Sequence, residues 1–288
     1  MLELIVNEAA GRGMALQTAQ QVCERLKERG FPFRLHHTSH PGHATMLARE
    51  AAQRGAETVI AFGGDGTLHE TAAGLRATRT ALGIIPCGTG NDFIKTAGIP
   101  CKWEEALEWI LTKPARPVNS GLINDGFFLN QCGAGFDVLV LDYANKAKQH
   151  MHGIWPYLYG VIRAIKAFSP VDMHIEIGSD VKLDGKFMIC AIANGRYFGG
   201  GIPIMPGADL TDGLLDILVV DAVPRWAIPF YLPSLMMGTL YKRKPAHRYL
   251  ADRCSIVCNG MRVDMDGEIQ PMDKAEFVCE SESLLLHW

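Results

Sequence analysis

Two glycine-rich turns, each following a short apolar run, constrain the fold of this chain more than any other feature. The run 58–62 leads into Gly63-Gly-Asp-Gly-Thr67, and the run 81–85 leads into Pro86-Cys-Gly-Thr-Gly-Asn-Asp92. Glycines let a backbone approach a ligand closely, and the N–H groups of such turns can point at phosphate oxygens. Either turn alone could be an ordinary strand-to-helix connection. Together they predict a phosphate-binding α/β sheet in which Asp65 positions magnesium or phosphate.

The first part of the chain alternates short apolar runs with amphipathic stretches. This alternation predicts a parallel sheet covered on both faces, with strands at 2–7, 33–38, 58–62 and 82–85 and helices at 14–29, 44–54, 68–76, 91–96 and 103–111. A third glycine loop, Asn7-Glu-Ala-Ala-Gly-Arg-Gly13, follows the first strand, and its Arg12 could contact a nucleotide. An ordinary turn is the alternative for this loop. Because all three loops follow predicted parallel strands, we expect them to form one ligand site.

After Pro114 and Pro117 the pattern becomes β-rich, and we predict a mainly antiparallel second domain. Asn124-Asp-Gly126 is typical of a hairpin turn between strands at 118–123 and 127–131. Further strands are predicted at 173–177, 187–193, 214–220, 254–258, 262–265 and 276–279, with helices at 157–168 and 226–241. The predicted domains are therefore an α/β domain over residues 1–115 and a β-rich domain over 116–288, whose last residues could pack back on the first domain.

The composition excludes several classes of protein. A net charge of −3 and a pI near 6.4 do not fit a general polyanion binder, so we expect no nucleic-acid partner. The chain lacks an uncharged run of the about 18 residues that a membrane span requires. Its first residues begin a strand instead of a secretory signal, and its eight scattered cysteines lack zinc-site spacing. These features predict a cytoplasmic protein with reduced thiols.

Two carboxylate-rich turns lie in the second half of the chain. Asp209 and Asp212, with the free carbonyls near them, could hold a magnesium or calcium ion, although an Asp-Gly turn entering a strand is the alternative. Asp264-Met-Asp-Gly-Glu268 brings three carboxylates into five residues. Phosphoryl transfer needs a base for the attacking hydroxyl, and we assign Glu268 to that role. A solvated hairpin turn is the alternative for this segment.

Taken in order, four motifs resemble those of bacterial soluble diacylglycerol kinases and related lipid kinases. They are Gly63-Gly-Asp-Gly-Thr-Leu68, Pro86-Cys-Gly-Thr-Gly-Asn-Asp-Phe93, Ala208-Asp-Leu-Thr-Asp-Gly-Leu214 and Asp266-Gly-Glu268. The resemblance extends from Asn7 to Glu268, nearly the whole chain. It implies an ATP-dependent lipid kinase of phospholipid metabolism, with a nucleotide-binding domain like that of NAD kinases and phosphofructokinases, a β-rich lipid-binding and catalytic domain, and an active site between them.

The resemblance also implies roles for individual residues. The expected nucleotide-binding residues are Asn7, Gly11, Arg12, Thr38, Gly63, Gly64, Asp65, Gly66, Thr67, Leu68, His69 and Thr89. Magnesium would be held by the Asp212 carboxylate and the backbone carbonyls of Asp209 and Leu214. Glu268 would be the general base, with Asp65 and Asp92 near the transferring phosphate. The family further implies a lipid substrate met at the membrane surface and favours a homodimer.

Two departures from the family pattern and two apolar stretches leave alternatives open. Glu8 replaces a common proline, which a loop should tolerate, whereas Asn119 replaces an acid of the catalytic network. A catalytically weak nucleotide- or lipid-binding regulator is therefore one alternative, and an NAD kinase, which shares only Gly-Gly-Asp-Gly, is another. The stretches 155–168 and 226–241 could contact a bilayer or pack on the protein core, and the nearby Lys146 and Lys148 could face acidic head groups.

Overall fold

The computed structural model describes residues 1–147, 151 and 155–288, so Lys148 lies outside the described residues. The chain forms two compact units. The first contains Met1–Ser120, Leu210–Asp212 and Glu280–Trp288, and the second contains Gly121–Asp209 and Gly213–Cys279.

The strands are β1 (Leu2–Val6), β2 (Phe33–His37), β3 (Thr58–Gly63), β4 (Ala81–Pro86), β5 (Ala115–Ile123), β6 (Gly126–Phe128), β7 (Gln131–Gly135), β8 (Val171–Ile177), β9 (Val181–Ala193), β10 (Leu215–Asp221), β11 (Ala246–Ala251), β12 (Arg253–Met265) and β13 (Glu268–His287). The helices are α1 (Met14–Glu28), α2 (His43–Gln53), α3 (Asp65–Leu75), α4 (Asp92–Ala97), α5 (Trp103–Thr112), α6 (Phe136–Ala147), α7 (Trp155–Ala167) and α8 (Ile228–Met236).

A parallel sheet forms the centre of the first unit. Its strands lie in the order β2, β1, β3 and β4, and Leu285 and Leu286 near the end of β13 pair in parallel with β4. Every residue of β1 and β3 is buried, which requires cover on both faces of the sheet. The helices supply that cover, with α1 packing against α5 and α2 against α3. The carboxyl ends of β1, β3 and β4 therefore meet at one edge of this sheet.

An antiparallel sheet forms the second unit. β7 pairs with β9, β9 with β8, β8 with β12, and β12 with β7, so these four strands close into a cycle. β10 and β11 extend the sheet beyond β9, and β13 pairs with β12. The parallel first unit and antiparallel second unit confirm the predicted contrast between the two halves of the chain.

Two hydrophobic clusters lie on opposite faces of this antiparallel sheet. Cys190 and Ile192 of β9 point into one cluster with residues of β7, β8 and β12, whereas Ala191 and Ala193 point into the other. The second cluster is covered by residues of α6, α7 and α8, including Phe136, Ala164 and Ile228. The alternation along β9 follows from the two-residue period of a strand.

The structure corrects several predicted elements of the second unit. The predicted helix 226–241 is confirmed only over its middle, as α8 (Ile228–Met236). Its predicted end at 241 is wrong, because Gly238, with a φ of 66°, ends the helix, and short 3₁₀ turns flank it on both sides. The predicted strands 254–258 and 262–265 are one strand, β12, with a register shift between Val257 and Met261. The predicted strand 127–131 ends at Phe128, and the predicted strand 276–279 is a fragment of β13. The sequence did not predict β7, α6 or β11.

Candidate functional site

The three glycine loops of the first unit approach one another at the level of the backbone. A Cβ on Gly88 would lie 2.4 Å from the Cα of Gly64, and a Cβ on Gly11 would lie 2.3 Å from the carbonyl oxygen of Cys87. Both distances are too short for any side chain, so glycine is required at these contacts. Gly11 also has a φ of 60°, which glycine adopts without strain. The fold thus brings the loops after β1, β3 and β4 together.

Asp65 joins two of these loops. It is the first residue of α3, and its two carboxylate oxygens accept hydrogen bonds from the backbone N–H groups of Asn91 (2.8 Å) and Asp92 (2.9 Å). A Cβ on Gly90 would lie 2.6 Å from the same carboxylate. Charge-assisted hydrogen bonds of this kind are stronger than neutral ones. Asp65 therefore holds the start of α4 against the start of α3, a structural contact that the sequence did not predict.

Asn7 connects the first loop to α3. Its side-chain amide donates to the Thr67 hydroxyl at 3.0 Å, and its backbone N–H donates to the carbonyl of Phe62 at 3.2 Å. Thr67 is buried against Gly63, where an added Cβ would lie 2.4 Å from the threonine side chain. These contacts order the turn between β3 and α3.

The remaining predicted nucleotide residues lie near the same edge of the parallel sheet. Thr38 follows β2 and its N–H donates to Val6 at the end of β1, at 3.0 Å. Arg12 lies in the first loop and is exposed, with a φ of 59°. Thr89 is exposed in the third loop. The structure therefore places these groups, with Gly66, Leu68 and His69 in α3, on loops and helices that follow the parallel strands.

Asp92 is the buried acid of the third loop. It begins α4, is 7% exposed, and has Lys95 one helical turn away, with 3.5 Å between the ammonium nitrogen and Oδ1. The lysine offsets part of the negative charge that Asp65 and Asp92 place close together. The two acids predicted to lie near the transferring phosphate are therefore neighbours in the structure.

The predicted metal ligands lie in one continuous segment that leads into β10. Asp209 and Asp212 are exposed, Gly213 has a φ of 73°, and Leu214 directly precedes the strand. Carboxylate and carbonyl oxygens are the donors that magnesium prefers. The donor chemistry of the segment fits a hard cation, and its role as a metal site stays a prediction.

Glu268 is the first residue of β13 and directly follows a tight hairpin turn. Met265 and Glu268 pair across the hairpin, and the two residues between them, Asp266 and Gly267, have φ values of 48° and 99°. Two consecutive positive φ values characterise the turn that best matches the twist of paired strands. The Glu268 side chain is exposed at the end of this rigid hairpin.

Asp266 and Asp264 hold the hairpin in place. The Asp266 carboxylate accepts the backbone N–H groups of Leu129 (2.6 Å), Asn130 (3.0 Å) and Gln131 (2.8 Å). Asp264 accepts the N–H of Gly267 at 2.8 Å and the side-chain amide of Gln131 at 3.1 Å. Two of the three carboxylates in this motif therefore position the turn, and only Glu268 projects from it.

A second buried acid, Asp137, lies beside Asp264 and was not predicted. Asp264 pairs with Gly133 across β12 and β7, and a Cβ on Gly133 would lie 1.9 Å from the Asp137 carboxylate. Within the described part of the chain, neither carboxylate oxygen of Asp137 has a hydrogen-bond partner of normal geometry. The pairing register and the absent glycine side chain thus place two carboxyls on one face of the sheet.

Burial controls the protonation of this carboxyl pair. Removal from water, followed by the charge of Asp137, raises the pKa of Asp264 to about 8. Burial also raises the pKa of Asp137 to about 6, against the opposing effect of the N–H groups in the first turn of α6. Two like charges cannot both be stable in such an environment. At neutral pH, Asp264 is therefore mostly protonated.

Comparisons with known proteins give independent information. Residues 1–123 match the diacylglycerol kinase catalytic domain family, and residues 130–286 match the YegS C-terminal NAD kinase beta sandwich-like domain family. The chain is 30% identical to a diacylglycerol kinase of Bacillus subtilis over 281 residues, which cover 96% of this chain and 92% of that protein. It is 33% identical to a probable lipid kinase YegS-like protein of Enterobacter over 275 residues, covering 92% and 88% of the two chains.

A solved structure agrees with these sequence matches. The crystal structure of a diacylglycerol kinase from Bacillus anthracis superposes with a TM-score of 0.75 and 25% identity, covering 100% of this chain and 96% of that chain. Sequence and structure therefore match over both units. The comparisons confirm the resemblance predicted from the four motifs.

Proposed function

The chain belongs to the family of bacterial diacylglycerol kinases and YegS-like lipid kinases, and from this premise we propose that it transfers the γ-phosphate of ATP to the hydroxyl of a lipid. Membership of this family makes it a lipid kinase and implies the use of ATP. Diacylglycerol is the first acceptor to test, followed by phosphatidylglycerol, a polyprenol and a long-chain base. The finer assignments below, including magnesium, are part of the proposal.

The convergence of the glycine loops is the observation that carries this proposal. Gly11, Gly64 and Gly88 bring three strand-to-helix loops into backbone contact, so their N–H groups can serve one polyanionic ligand. Arg12 is exposed on the first of these loops and supplies positive charge for a phosphate group. Because these loops touch through their backbones, no side chain fits at the glycine positions where the triphosphate would bind.

In the proposed reaction, Glu268 takes the proton of the lipid hydroxyl, the resulting oxygen attacks the γ-phosphorus, and ADP leaves. The exposed position of Glu268 at the end of a rigid hairpin suits a base that must reach a substrate hydroxyl. Asp65 and Asp92 would lie near the phosphates, and Asp212 would hold magnesium together with the backbone carbonyls of Asp209 and Leu214. Magnesium, when bound, would neutralise negative charge on the protein and phosphates.

The experiment is transfer of labelled γ-phosphate from ATP to the lipid panel in detergent micelles. We expect phosphorylation of at least one acceptor by the wild type and a loss of about 100-fold or more in Glu268→Gln, the usual effect of removing a general base. Glu276→Gln is the matched control, because Glu276 is also an exposed glutamate of β13 but lies outside the proposed site. Full activity of Glu268→Gln would show that the base is another group.

A weakly active regulator is the second candidate function, because asparagine occupies position 119. Asn119→Asp restores the acid that the family pattern contains there. If the wild type phosphorylates no lipid but the variant does, the natural chain is a binding protein with a latent kinase site. If neither protein turns over ATP with any lipid, the proposed phosphotransfer fails.

A further inference from the structure

The hairpin that carries Glu268 is held by the carboxyl group of Asp264. This residue lies on β12 and is 5% exposed, and its Oδ1 accepts the backbone N–H of Gly267, which directly precedes Glu268. Its Oδ2 accepts the side-chain amide of Gln131 on β7. The orientation of Glu268 therefore depends on a carboxyl group that is shut off from water.

A second carboxyl group lies beside Asp264, in space that small residues leave open. Asp137, in the first turn of α6, is 9% exposed, and both of its carboxylate oxygens are buried without a hydrogen-bond partner among the described residues. Gly133 pairs with Asp264 on one side and with Ala191 on the other, and a Cβ on Gly133 would lie 1.9 Å from Asp137 Oδ2. Buried polar atoms almost always have a partner. Asp137 therefore requires a donor at this position.

The groups around the pair supply no compensating charge. Burial, then the charge of Asp137 and less strongly that of Asp266, raise the pKa of Asp264. Within the described part of the chain, no lysine, arginine or histidine is among the groups that shift the pKa of either buried acid. The neighbouring thiols are Cys132 and Cys190, and burial raises the pKa of each well above its ordinary value, so both stay neutral. A proton is the remaining means of reducing the charge.

We infer that Asp137 and Asp264 share one proton, with the O–H of Asp264 donating to the Asp137 carboxylate, and that this bridge positions Glu268 for phosphotransfer. The bridge gives the Asp137 oxygens the donor that they otherwise lack. A hydrogen bond from a neutral acid to a carboxylate is charge-assisted and therefore strong. Both acids act through Glu268, so they are positioning residues. The inference rests on the proposed function in one respect, the role of Glu268 as the base.

Loss of the shared proton should release the hairpin. Two carboxylates would then lie side by side away from water, and the second charge is stabilised only if Asp264 leaves its buried position together with the N–H of Gly267. Because the pKa of Asp264 is raised to about 8, the bridge is intact at pH 7 and mostly lost at pH 9. Since about one-tenth of the molecules keep the proton at pH 9, kcat should fall about tenfold between these pH values. The KM for ATP should change little, because the glycine loops belong to the first unit.

The experiment compares kcat at pH 7 and pH 9 in detergent micelles for the wild type, Asp264→Asn and Asp137→Asn. Asparagine at position 264 can donate to Asp137 at either pH, and asparagine at position 137 removes the second charge. For each variant, kcat should therefore change less than about twofold between the two pH values. Asp180→Asn is the matched control, because Asp180 is an exposed acid between β8 and β9, and it should keep the wild-type tenfold fall. A fall in Asp264→Asn equal to that of the wild type would overturn the inference.

Two measurements without ATP or lipid separate this inference from the proposed function. At pH 7, infrared spectroscopy should show a protonated carboxyl group that is missing in Asp264→Asn. Hydrogen exchange at Gly267, corrected for the intrinsic effect of pH, should show about tenfold less protection at pH 9 than at pH 7 in the wild type and no such loss in the variant. A protein that gives both signals but phosphorylates no lipid would refute the proposed function alone.

Two results would refute the shared proton itself. One is an infrared spectrum without the protonated carboxyl group in the wild type at pH 7. The other is thermal stabilisation by added calcium of the wild type but not of Asp264→Asn, because the two acids would then hold a cation instead of a proton.

Discussion

The buried carboxyl of Asp264 should make folding stability depend on pH in an unusual direction. Its pKa is about 8 in the folded protein and 3.8 in its ordinary state, so folding binds a proton between these values. Stability from this group is fully present below about pH 4 and is lost as the pH rises to about 8. The difference of about 4 pH units corresponds to a loss on the order of 5 kcal/mol in the free energy of unfolding. A carboxylate held in an ion pair shows the opposite trend, because its contribution to stability is lost as the pH falls.

Asp264→Asn should remove most of this dependence. Asparagine keeps an oxygen for the N–H of Gly267, and rotation of the Gln131 amide would let its oxygen accept from the new amide. The side-chain oxygen of Gln131 is buried without a partner among the described residues, so the rotation replaces one hydrogen bond between Gln131 and position 264 with another. We expect the variant to be near wild-type stability at pH 5 and several kcal/mol more stable at pH 9, on the order of the value derived above.

Urea unfolding at the two pH values, followed by circular dichroism, measures the effect. Asp266→Asn is the control, because Asp266 accepts three backbone N–H groups and its loss should destabilise the hairpin by about 1–3 kcal/mol at both pH values. If wild type and Asp264→Asn lose equal stability between pH 5 and pH 9, the carboxyl does not bind a proton on folding and the reasoning is refuted.

Three further predictions test the packing of the loops and the acid pair. Gly88→Ala should lower the free energy of unfolding by about 1–3 kcal/mol, because its Cβ would meet Gly64. The variant should also weaken the thermal stabilisation that ATP gives. Gly66→Ala is the control, because a Cβ there has open space, and it should keep the wild-type free energy of unfolding. Asp65→Asn keeps one oxygen for two N–H groups, so it should cost about 1–3 kcal/mol in thermal or urea unfolding and lower kcat for phosphotransfer. Gly133→Ala should lower the free energy of unfolding, because its Cβ would meet the Asp137 carboxylate. In a double-mutant cycle, the same substitution should cost about 1–3 kcal/mol less when Asp137 is already alanine. Strictly additive effects of the two substitutions would contradict this contact.

The glycine loops could be predicted from the sequence because their signal is local. Each loop follows a short, mainly apolar run, and parallel strands place their carboxyl ends at one edge of the sheet. The location of Gly11, Gly64 and Gly88 at the same edge of the sheet could therefore be predicted from the sequence. It could not reveal the bridge from Asp65 to the N–H groups of Asn91 and Asp92, since that contact depends on how closely the loops pack.

The acid pair could not be predicted, because it depends on strand register. Asp137 and Asp264 are 127 residues apart in the sequence, and only the pairing of β7 with β12 places Gly133 opposite Asp264. The long strands were underestimated for a related reason. β13 alternates exposed polar and buried apolar residues over much of its length, so its solvent-facing positions resemble a loop when read without the partner strand.

The contacts of Asn119 allow a test of the proposed magnesium site through the substitution Asn119→Asp. Its backbone N–H donates to the carbonyl of Leu210 at 2.7 Å, and its side-chain oxygen accepts the N–H of Glu282 at 3.3 Å. Aspartate can accept the same N–H, so Asn119→Asp should keep these contacts. Position 119 is fully buried, so a carboxyl there ionises readily only when a cation lies beside it, next to the segment that contains Asp212. If that segment binds magnesium, the variant should reach half-maximal phosphotransfer at a lower magnesium concentration than the wild type. A magnesium dependence that equals that of the wild type at both pH 7 and pH 9, in a folded variant, would place the metal elsewhere.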